Sequence, residues 1–343
     1  MEGILVMKRS IFLFFASVVL ISCNSDTAVN SHDYSGEALG TTYMVRYFSE
    51  ENLKFERSLD SILEDINSSM STYITKSDIS RINRGDTTVK VDHHFVEVFN
   101  ASEKIFKQTD GFFDPTVGVL VNAYGFGPGK PLKKIDSVKL DSLKSLVGFD
   151  KIEIKNDRTV NKKNPFIYLD FNAIAKGYTI DVIADYLEAK NVENYLIELG
   201  GELRARGKNL DSDSEWIVGI DDPNQVGGNR KLQAKVKLSN AAMATSGNYR
   251  KYRTDSLTGQ KFVHTINPLS GKAERSNLLS ASVIAENCML ADGYATAFMA
   301  LGLEKSKAVL EELENVEVYI LYSSEDGKMK VYRSPGFEKN LVE

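Results

Sequence analysis

The sequence has few of the residues that build common metal and nucleophile sites. It contains two cysteines and four histidines in 343 residues. No CxxC, HExxH or GxSxG motif occurs, and the histidines lack the spacing of zinc ligands. These absences argue against a zinc enzyme and against a serine hydrolase.

A strongly basic segment is also missing. The chain carries a formal net charge of -5, and its lysines and arginines form no dominant cluster. Nucleic-acid-binding proteins need such clusters to neutralise phosphates, so we expect no nucleic-acid partner. The composition, 42% hydrophobic and 26% charged, is that of an ordinary globular protein with enough residues for a sizeable core.

The N-terminal residues predict an export signal. Lys8 and Arg9 precede an apolar run that is too short for a comfortable membrane span. The run ends in "LISC", which resembles a bacterial lipobox, in which Cys23 becomes the lipidated first residue of the mature protein. An ordinary signal peptide with an incidental cysteine is the alternative, but the polar stretch "NSDTAVNSHDYSGE" that follows is typical of a tether.

This interpretation predicts three regions: a lipoprotein signal peptide over 1–22, a lipidated cysteine and tether over 23–36, and one domain over 37–343. The domain would be anchored to a membrane and would face the periplasm or the cell exterior. With Cys23 lipidated, Cys288 has no partner for an internal disulfide.

Strand and helix patterns are mixed along the domain. "GTTYMVRYF" and "NPFIYLDF" predict strands, whereas the apolar residues of 55–70 recur at helical spacing. "YLIELGGELRARG" predicts two strands bent at its glycine pair, and "VEVYILYSSEDGKMKVYRS" predicts a late hairpin. Because the strict βαβ alternation of a doubly wound sheet is missing, we expect an α+β fold with mixed or antiparallel sheets and flanking helices.

The segment "LADGYATAFMALG" carries a candidate metal site. Asp292, Ala295 and Thr296 share one face of a helix near its N-terminus. A carboxylate and a hydroxyl are hard oxygen ligands, which suit Mg²⁺ better than zinc. The structural alternative is an acidic residue that only stabilises the helix dipole, followed by a threonine that bonds its own backbone.

A second candidate site lies in "LDFNAIAKGYTID". Asp170 is predicted to end a strand, small residues leave the following backbone approachable, and Lys176 supplies a point charge for a phosphate. The alternative is a turn in which Asp170 caps the next helix and Lys176 points to water.

Three further stretches contain residues suited to ligand binding. "NAYGFGPGK" does not match the Walker pattern, and its aromatic residues among glycines suit a flat ring better than a triphosphate. Tyr73 follows a predicted helix end, where it can stack on a ligand. His264, in "FVHTINPLSGK", is a candidate for proton transfer, although a lone histidine is more often structural.

Taken together, these stretches resemble one family, the FAD:protein FMN transferases (ApbE-like flavin transferases). The resemblance covers nearly the whole predicted domain and rests on eight segments in the family's order: "LGTTYMVRY", "STYITKSDISRIN", "DGFFDPTVGVLVNAYGFGP", "LDFNAIAKGY", "IELGGELRARG", "MATSGNYRKY", "HTINPLSGK" and "ADGYATAFMALG". Members are commonly exported lipoproteins, which agrees with the lipobox.

The resemblance implies a fold and a reaction. The fold is a single large α+β domain with an FAD cleft between subdomains. The reaction splits FAD at its diphosphate, transfers FMN to a threonine hydroxyl of an acceptor protein and releases AMP. The acceptors are flavin-carrying subunits of membrane redox complexes, such as sodium-pumping quinone reductases and Rnf-type complexes.

The resemblance also implies roles for individual residues. Ligands of Mg²⁺ would be Ala173 (carbonyl), Asp292, Ala295 (carbonyl) and Thr296. Contacts to FAD would come from Leu39, Tyr73, Ala123, Tyr124, Gly125, Asp170, Lys176 and Ile266. The base that takes the threonine proton is Asp292 or His264, and the sequence does not choose. Two departures from the family pattern, Leu39 for a common Met and Asn172 for a common Gly or Ser, remove no charged or ligating group.

Other functions remain compatible with the sequence. An FAD pyrophosphatase would use water at the same site and give free FMN and AMP. A non-catalytic flavin-binding lipoprotein would need neither Lys176 nor the predicted metal ligands Asp292 and Thr296. A plain periplasmic scaffold would need none of the eight segments.

Overall fold

A computed structural model describes residues 29–223, 231–247, 252–254, 261–263, 265–273 and 276–342. Its helices are α1 Phe55–Met70, α2 Asp78–Asn83, α3 His93–Gln108, α4 Gly118–Tyr124, α5 Ser137–Lys144, α6 Ala175–Ala189, α7 Cys288–Leu301, α8 Leu303–Leu310 and α9 Pro335–Glu338. Its strands are β1 Asn30–Ala38, β2 Thr41–Ser49, β3 Ile152–Ile154, β4 Val160–Lys162, β5 Asn194–Leu199, β6 Glu202–Arg206, β7 Lys208–Asn209, β8 Ser214–Asp221, β9 Leu232–Leu238, β10 Ala241–Gly247, β11 Tyr252–Thr254, β12 Lys261–Val263, β13 Leu278–Ala285, β14 Glu317–Ser323, β15 Met329–Arg333 and β16 Leu341–Val342.

The centre of the fold is an eight-stranded sheet with the order β1-β2-β5-β6-β10-β13-β14-β15. Every pairing in it is antiparallel, so the predicted α+β class with antiparallel sheets is confirmed. Helices α6 and α7 pack against each other and against the middle strands of this sheet. A smaller sheet, β16-β9-β8-β7, covers a separate apolar cluster around Trp216.

Strand β5 continues into β6 through a turn of two glycines. Gly200 and Gly201 have φ values of 65° and 102°, which residues with a side chain rarely adopt. Such a two-residue turn keeps neighbouring antiparallel strands in register, with Leu199 paired to Glu202. The bend predicted at this glycine pair is confirmed, and it brings Glu202 to the start of β6.

The predicted strand "NPFIYLDF" is wrong as a ladder strand. Within the described residues, 167–171 join no ladder, and their one bridge is an isolated one between Tyr168 and Val117. The backbone of Leu169 bonds instead to the side chain of Asn83, which accepts at 2.8 Å and donates at 2.8 Å. Asp170 therefore follows a segment that a side chain holds in place, and it does not end a strand.

The first strand begins earlier than the predicted domain. Strand β1 covers Asn30–Ala38 and pairs along its full length with β2, so it overlaps the stretch assigned to a tether over 23–36. Cys23 and the predicted signal peptide lie outside the described residues. Within the described part of the chain, no helix is long and apolar enough to cross a membrane.

Candidate active site

The N-terminal ends of α6 and α7 meet directly. The backbone N–H of Gly177 donates to Asp292 Oδ2 at 3.2 Å, and Lys176 Nζ lies 3.6 Å from the same oxygen. The structure therefore brings together Lys176 and Asp292, which the sequence predicted in two separate segments. The close approach depends on Gly177, because a Cβ there would lie 2.2 Å from the carbonyl oxygen of Cys288.

Two carboxylates share the Lys176 ammonium. Lys176 Nζ lies 2.6 Å from Glu202 Oε1 and 3.6 Å from Asp292 Oδ2. Both acidic side chains are almost fully buried, with 6% and 3% of their surface exposed. With both acids ionised, the cluster of Lys176, Glu202 and Asp292 has a net charge of -1, which favours the binding of a further cation.

Burial decides the protonation of Asp292. Removal from water raises the pKa of its carboxyl to about 7, against the opposing effect of the Lys176 charge, while Glu202 adds to the rise. For Lys176, burial lowers the pKa, but the charges of Asp292 and Glu202 outweigh burial and leave that pKa above its usual value. Lys176 is therefore cationic at neutral pH.

The remaining predicted metal ligands lie on α7 and just before α6. The Thr296 hydroxyl, one turn beyond Asp292, lies 3.2 Å from the hydroxyl of Ser246 on β10. Ala295 is buried beside it, and Ala173 lies partly exposed just before α6. No group of three or more His, Cys, Asp and Glu side chains that could hold a metal occurs among the described residues. Any cation here must therefore use hydroxyl, carbonyl or ligand oxygens besides one or two carboxylates.

Asp170 forms a second buried acidic position. Its backbone N–H donates to the Pro115 carbonyl at 2.8 Å, and its Oδ1 accepts from the backbone N–H of Asn172 at 2.8 Å. Burial raises the pKa of its carboxyl to about 6, and the hydrogen bond from Asn172 opposes that rise. The predicted turn is thus present, although Asp170 bonds within the turn before α6 and does not cap the helix.

Tyr73 lies near Asp170 and is open to solvent. Its side chain is 61% exposed, and its hydroxyl donates to the carbonyl of Phe126 at 3.4 Å. Burial of the hydroxyl end, followed by the charges of Asp170 and Tyr168, raises the pKa of Tyr73. An exposed ring beside a buried carboxylate is available to stack on a planar ligand.

Tyr124 and Ile266 pack into one apolar cluster, together with Leu120, Val147 and Ala273. The Tyr124 hydroxyl donates to the carbonyl of Gly271 at 3.2 Å. Ala123 is buried on the same helix, and Gly125 ends that helix with φ 80°. The predicted FAD contacts of "NAYGFG" and of "HTINP" are therefore neighbours, although "NAY" ends a helix and is not part of a loop.

Of three other predicted residues, the structure describes one. Leu39 occupies the turn between β1 and β2 with φ 49° and packs at the edge of the apolar cluster that contains the middle of α6. His264, the candidate base, lies outside the described residues, as does Cys23.

Glu202, Ser246 and Asp181 also belong to this region, and the sequence did not predict them as site residues. Asp181 on α6 accepts from the backbone N–H groups of Cys288 and Met289 at 2.9 and 2.8 Å, and it pairs with Arg204 on β6 at 2.8 Å. These bonds satisfy the first N–H groups of α7 and link it to α6. The alternating charges of "ELRAR" were a usable signal, because residues two apart on a strand share one face.

The chain matches known proteins over most of its length. The model of the ApbE family matches residues 39–320. A protein named FAD:protein FMN transferase from Haemophilus influenzae is 36% identical, with 94% of each chain covered. One with the same name from Vibrio cholerae is 33% identical over 97% of this chain and 99% of its own.

Solved structures give the same result. The flavin transferase ApbE from Vibrio cholerae superimposes with a TM-score of 0.80 at 32% identity, and 92% of this chain and all of that chain are covered. The apo flavinyl transferase ApbE of Pseudomonas stutzeri gives a TM-score of 0.79 at 29% identity, with 91% of this chain and 97% of that chain covered. The family match spans both halves of the site, from the Lys176 segment to the Asp292 segment. The chain therefore belongs to the ApbE family.

Proposed function

We propose that the chain is an FAD:protein FMN transferase, which moves the FMN part of FAD to a threonine hydroxyl of an acceptor protein. In this reaction a bond forms between the threonine oxygen and the phosphorus of FMN. The bond between that phosphorus and the bridging oxygen of the diphosphate breaks, and AMP leaves. Full-length relatives named for this activity support the proposal.

The observation that carries the proposal is the buried contact between Lys176 and Asp292 at the meeting point of α6 and α7. Phosphoryl transfer depends mainly on positioning and on neutralising negative charge. Lys176 supplies a cation for the phosphate oxygens as AMP departs. The Lys176 side chain is 27% exposed, so it can reach a ligand while its carboxylate partners stay buried.

We further propose that Mg²⁺ binds at Asp292, with the Thr296 hydroxyl and the carbonyls of Ala173 and Ala295 as its other protein ligands. The donor chemistry fits, because Mg²⁺ typically uses one or two carboxylates and completes its shell with water and substrate phosphates. When bound, the ion neutralises charge on the diphosphate. The net charge of -1 on the cluster of Lys176, Glu202 and Asp292 favours such a cation.

The proton of the acceptor threonine needs a base, and we propose Asp292 or His264. Burial raises the pKa of Asp292 to about 7, which is close to the value a base needs at neutral pH. A bound cation at Asp292 lowers that pKa and makes Asp292 a weaker base, which favours His264. Activity of a His264→Ala variant against pH separates the two.

The proposed setting is the outer face of a membrane. Cys23 would carry the lipid, and the few residues between Cys23 and β1 would hold the domain close to membrane redox complexes. Flavin-carrying subunits of sodium-pumping quinone reductases or of Rnf-type complexes would be the acceptors.

A single assay tests the reaction. The purified protein is mixed with FAD, Mg²⁺ and a candidate acceptor, and flavin fluorescence of the acceptor is read in a denaturing gel. We expect a fluorescent acceptor band, its loss with EDTA, and its loss in Asp292→Ala. Asp185→Asn, which removes a mostly exposed carboxylate of α6, is the matched control and should keep activity.

Three outcomes would contradict the proposal or a part of it. Free FMN and AMP without a labelled acceptor would identify an FAD pyrophosphatase. FAD that stays intact but bound would identify a non-catalytic flavin carrier. Full transfer by a folded Asp292→Ala protein would remove Asp292 from the reaction.

A further inference from the structure

Glu202 is a buried charged group without a role in the reaction described above. It opens β6 directly after the Gly200–Gly201 turn, and 6% of its side-chain surface is exposed. Its Oε1 accepts from Lys176 Nζ at 2.6 Å. Its Oε2 is buried and has no hydrogen-bond partner within the described residues. A buried carboxylate that forms a single ion pair and leaves one oxygen unsatisfied is costly, so its retention calls for a reason.

The pairing of Glu202 differs from its neighbours on the same strand. Glu202, Arg204 and Arg206 alternate along β6 and form a row that faces α6. Arg204 pairs with Asp181 at 2.8 Å, and Arg206 pairs with Glu188 at 2.5 Å. In both pairs the base is on the strand and the acid is on the helix. At the end of the row next to the active site, the acid is on the strand and the base, Lys176, is on the helix.

The reversed pair opposes the dipole of the helix. Lys176 is the second residue of α6, and the N-terminus of a helix carries a partial positive charge that disfavours a cation. At this end of α6, a pair that only joined the strand to the helix would gain more with the acid on the helix. The reversed order therefore indicates that Lys176 is placed there for an anion outside the protein, and that Glu202 is its counter-charge.

Glu202 and Asp292 compete for the same ammonium. The Lys176 nitrogen is 1.0 Å closer to Glu202 than to Asp292, by the difference between 3.6 and 2.6 Å, and only the shorter contact is a hydrogen bond. Asp292 Oδ2 instead accepts the backbone N–H of Gly177. Without the charge of Glu202, the strongest remaining attraction for Lys176 would be the carboxylate of Asp292.

We propose that Glu202 is a positioning residue that holds the Lys176 ammonium away from Asp292 and directs it toward the diphosphate of the bound dinucleotide. This inference rests on the proposed function, in which Lys176 contacts FAD. According to this proposal, Glu202 strengthens FAD binding, although its negative charge alone would weaken it. A negative charge near the site repels a diphosphate, yet removing this one should weaken FAD binding, because Lys176 then pairs with Asp292.

The test compares FAD with riboflavin, which has the ring but no phosphate. Binding of each to the full-length protein is followed by flavin fluorescence in EDTA, for the wild type and for Glu202→Gln. In Glu202→Gln, Lys176 should lose its charge-assisted contact with the diphosphate. We therefore expect about tenfold weaker FAD binding and unchanged riboflavin binding. FAD binding that is unchanged or tighter in Glu202→Gln would overturn the proposal.

A double-mutant cycle separates positioning from a direct contact. If Glu202 acts only through Lys176, Glu202→Gln should have no further effect on FAD affinity in a Lys176→Met background. If Glu202→Gln weakens FAD binding as much in the Lys176→Met protein as in the wild type, the proposal is overturned. Arg206→Gln breaks an ion pair on the same strand far from Lys176, and it should leave FAD affinity unchanged.

Folding and the proposed function are controlled separately. Each variant is first compared with the wild type by thermal unfolding. If Glu202→Gln does not fold, Glu202→Asp is used, and its FAD binding should weaken while its riboflavin binding does not. Wild-type protein that binds FAD but labels no acceptor would contradict the proposed function and leave the role of Glu202 intact. Wild-type protein that does not bind FAD would overturn both.

Discussion

The backbone of Gly177 lies against the carbonyl of Cys288, so close that a Cβ on Gly177 would be 2.2 Å from that oxygen. This contact sets the distance between α6 and α7, and hence between Lys176 and Asp292. A Cβ on Gly177 would also lie 2.9 Å from Asp292 Cβ, so its absence lets Asp292 approach the Gly177 N–H, which donates to Asp292 Oδ2.

Gly177→Ala should therefore damage both stability and binding. Because the clash is with backbone, the helices must move apart, and we expect a loss of about 2–3 kcal/mol in the free energy of unfolding. FAD affinity should fall because a shift of α6 moves Lys176 out of its place beside Glu202. Chemical denaturation and flavin fluorescence measure the two effects.

Gly293→Ala is the matched control for that substitution. A Cβ at Gly293 would lie 2.4 Å from Ile105 Cδ1, which is the end of a flexible side chain and can rotate away. We expect a smaller loss of stability than for Gly177→Ala. Equal losses in the two variants would show that the backbone contact with Cys288 is unimportant.

Asp181→Ala should destabilise the protein through the start of α7. The change leaves the N–H groups of Cys288 and Met289 without their acceptor and removes the closest partner of Arg204. We expect a loss of about 3 kcal/mol, measured by chemical denaturation. Asp185→Ala is the control, because Asp185 is 73% exposed and lies 3.8 Å from the same Arg204. Its effect should stay within about 0.5 kcal/mol.

Asp114 should make stability fall as pH rises. Burial raises the pKa of its carboxyl from 3.8 to about 6, against hydrogen bonds from Thr116 that lower it. Between these values the folded state holds a proton that the unfolded state has lost, so ionisation costs the folded state. The effect of Asp114 on the free energy of unfolding is absent below about pH 4. By pH 7 it lowers that free energy by about 3 kcal/mol.

Asp114→Asn removes that pH dependence and keeps an oxygen that can accept both bonds from Thr116. Relative to the wild type, the variant should become more stable as pH rises from 4 to 7, by up to about 3 kcal/mol. Unfolding free energies measured at several pH values give the difference. A difference that does not change with pH would contradict the raised pKa.

Tyr73→Ala should weaken FAD binding and leave stability nearly unchanged. The ring is 61% exposed, so little apolar area is lost from the folded state. Loss of a stacked aromatic ring should reduce FAD affinity about tenfold. Tyr73→Phe keeps the ring and loses only the bond to the Phe126 carbonyl, and it should bind FAD as the wild type does. Equal binding by wild type and Tyr73→Ala would exclude stacking on Tyr73.

The sequence predicted the α+β class, the helix over 55–70, the glycine turn between β5 and β6 and the late hairpin, because periodicity and turn chemistry are local signals. It also selected Asp292 and Lys176 as site residues. It did not predict the segment before Asp170 correctly, because the partner of Leu169 is the side chain of Asn83, far away in the chain. No local pattern encodes such a bond.

The sequence by itself determined the inventory of the candidate site, namely a carboxylate, a hydroxyl and a lysine in two segments, and the family that those segments resemble. Only the tertiary structure decided their arrangement. The packing of α6 on α7 placed Lys176 beside Asp292, and the pairing of β5 with β6 placed Glu202 on its other side. Which of two buried acids binds an ammonium depends on distances of a few tenths of a nanometre, and these are set by backbone contacts between distant elements.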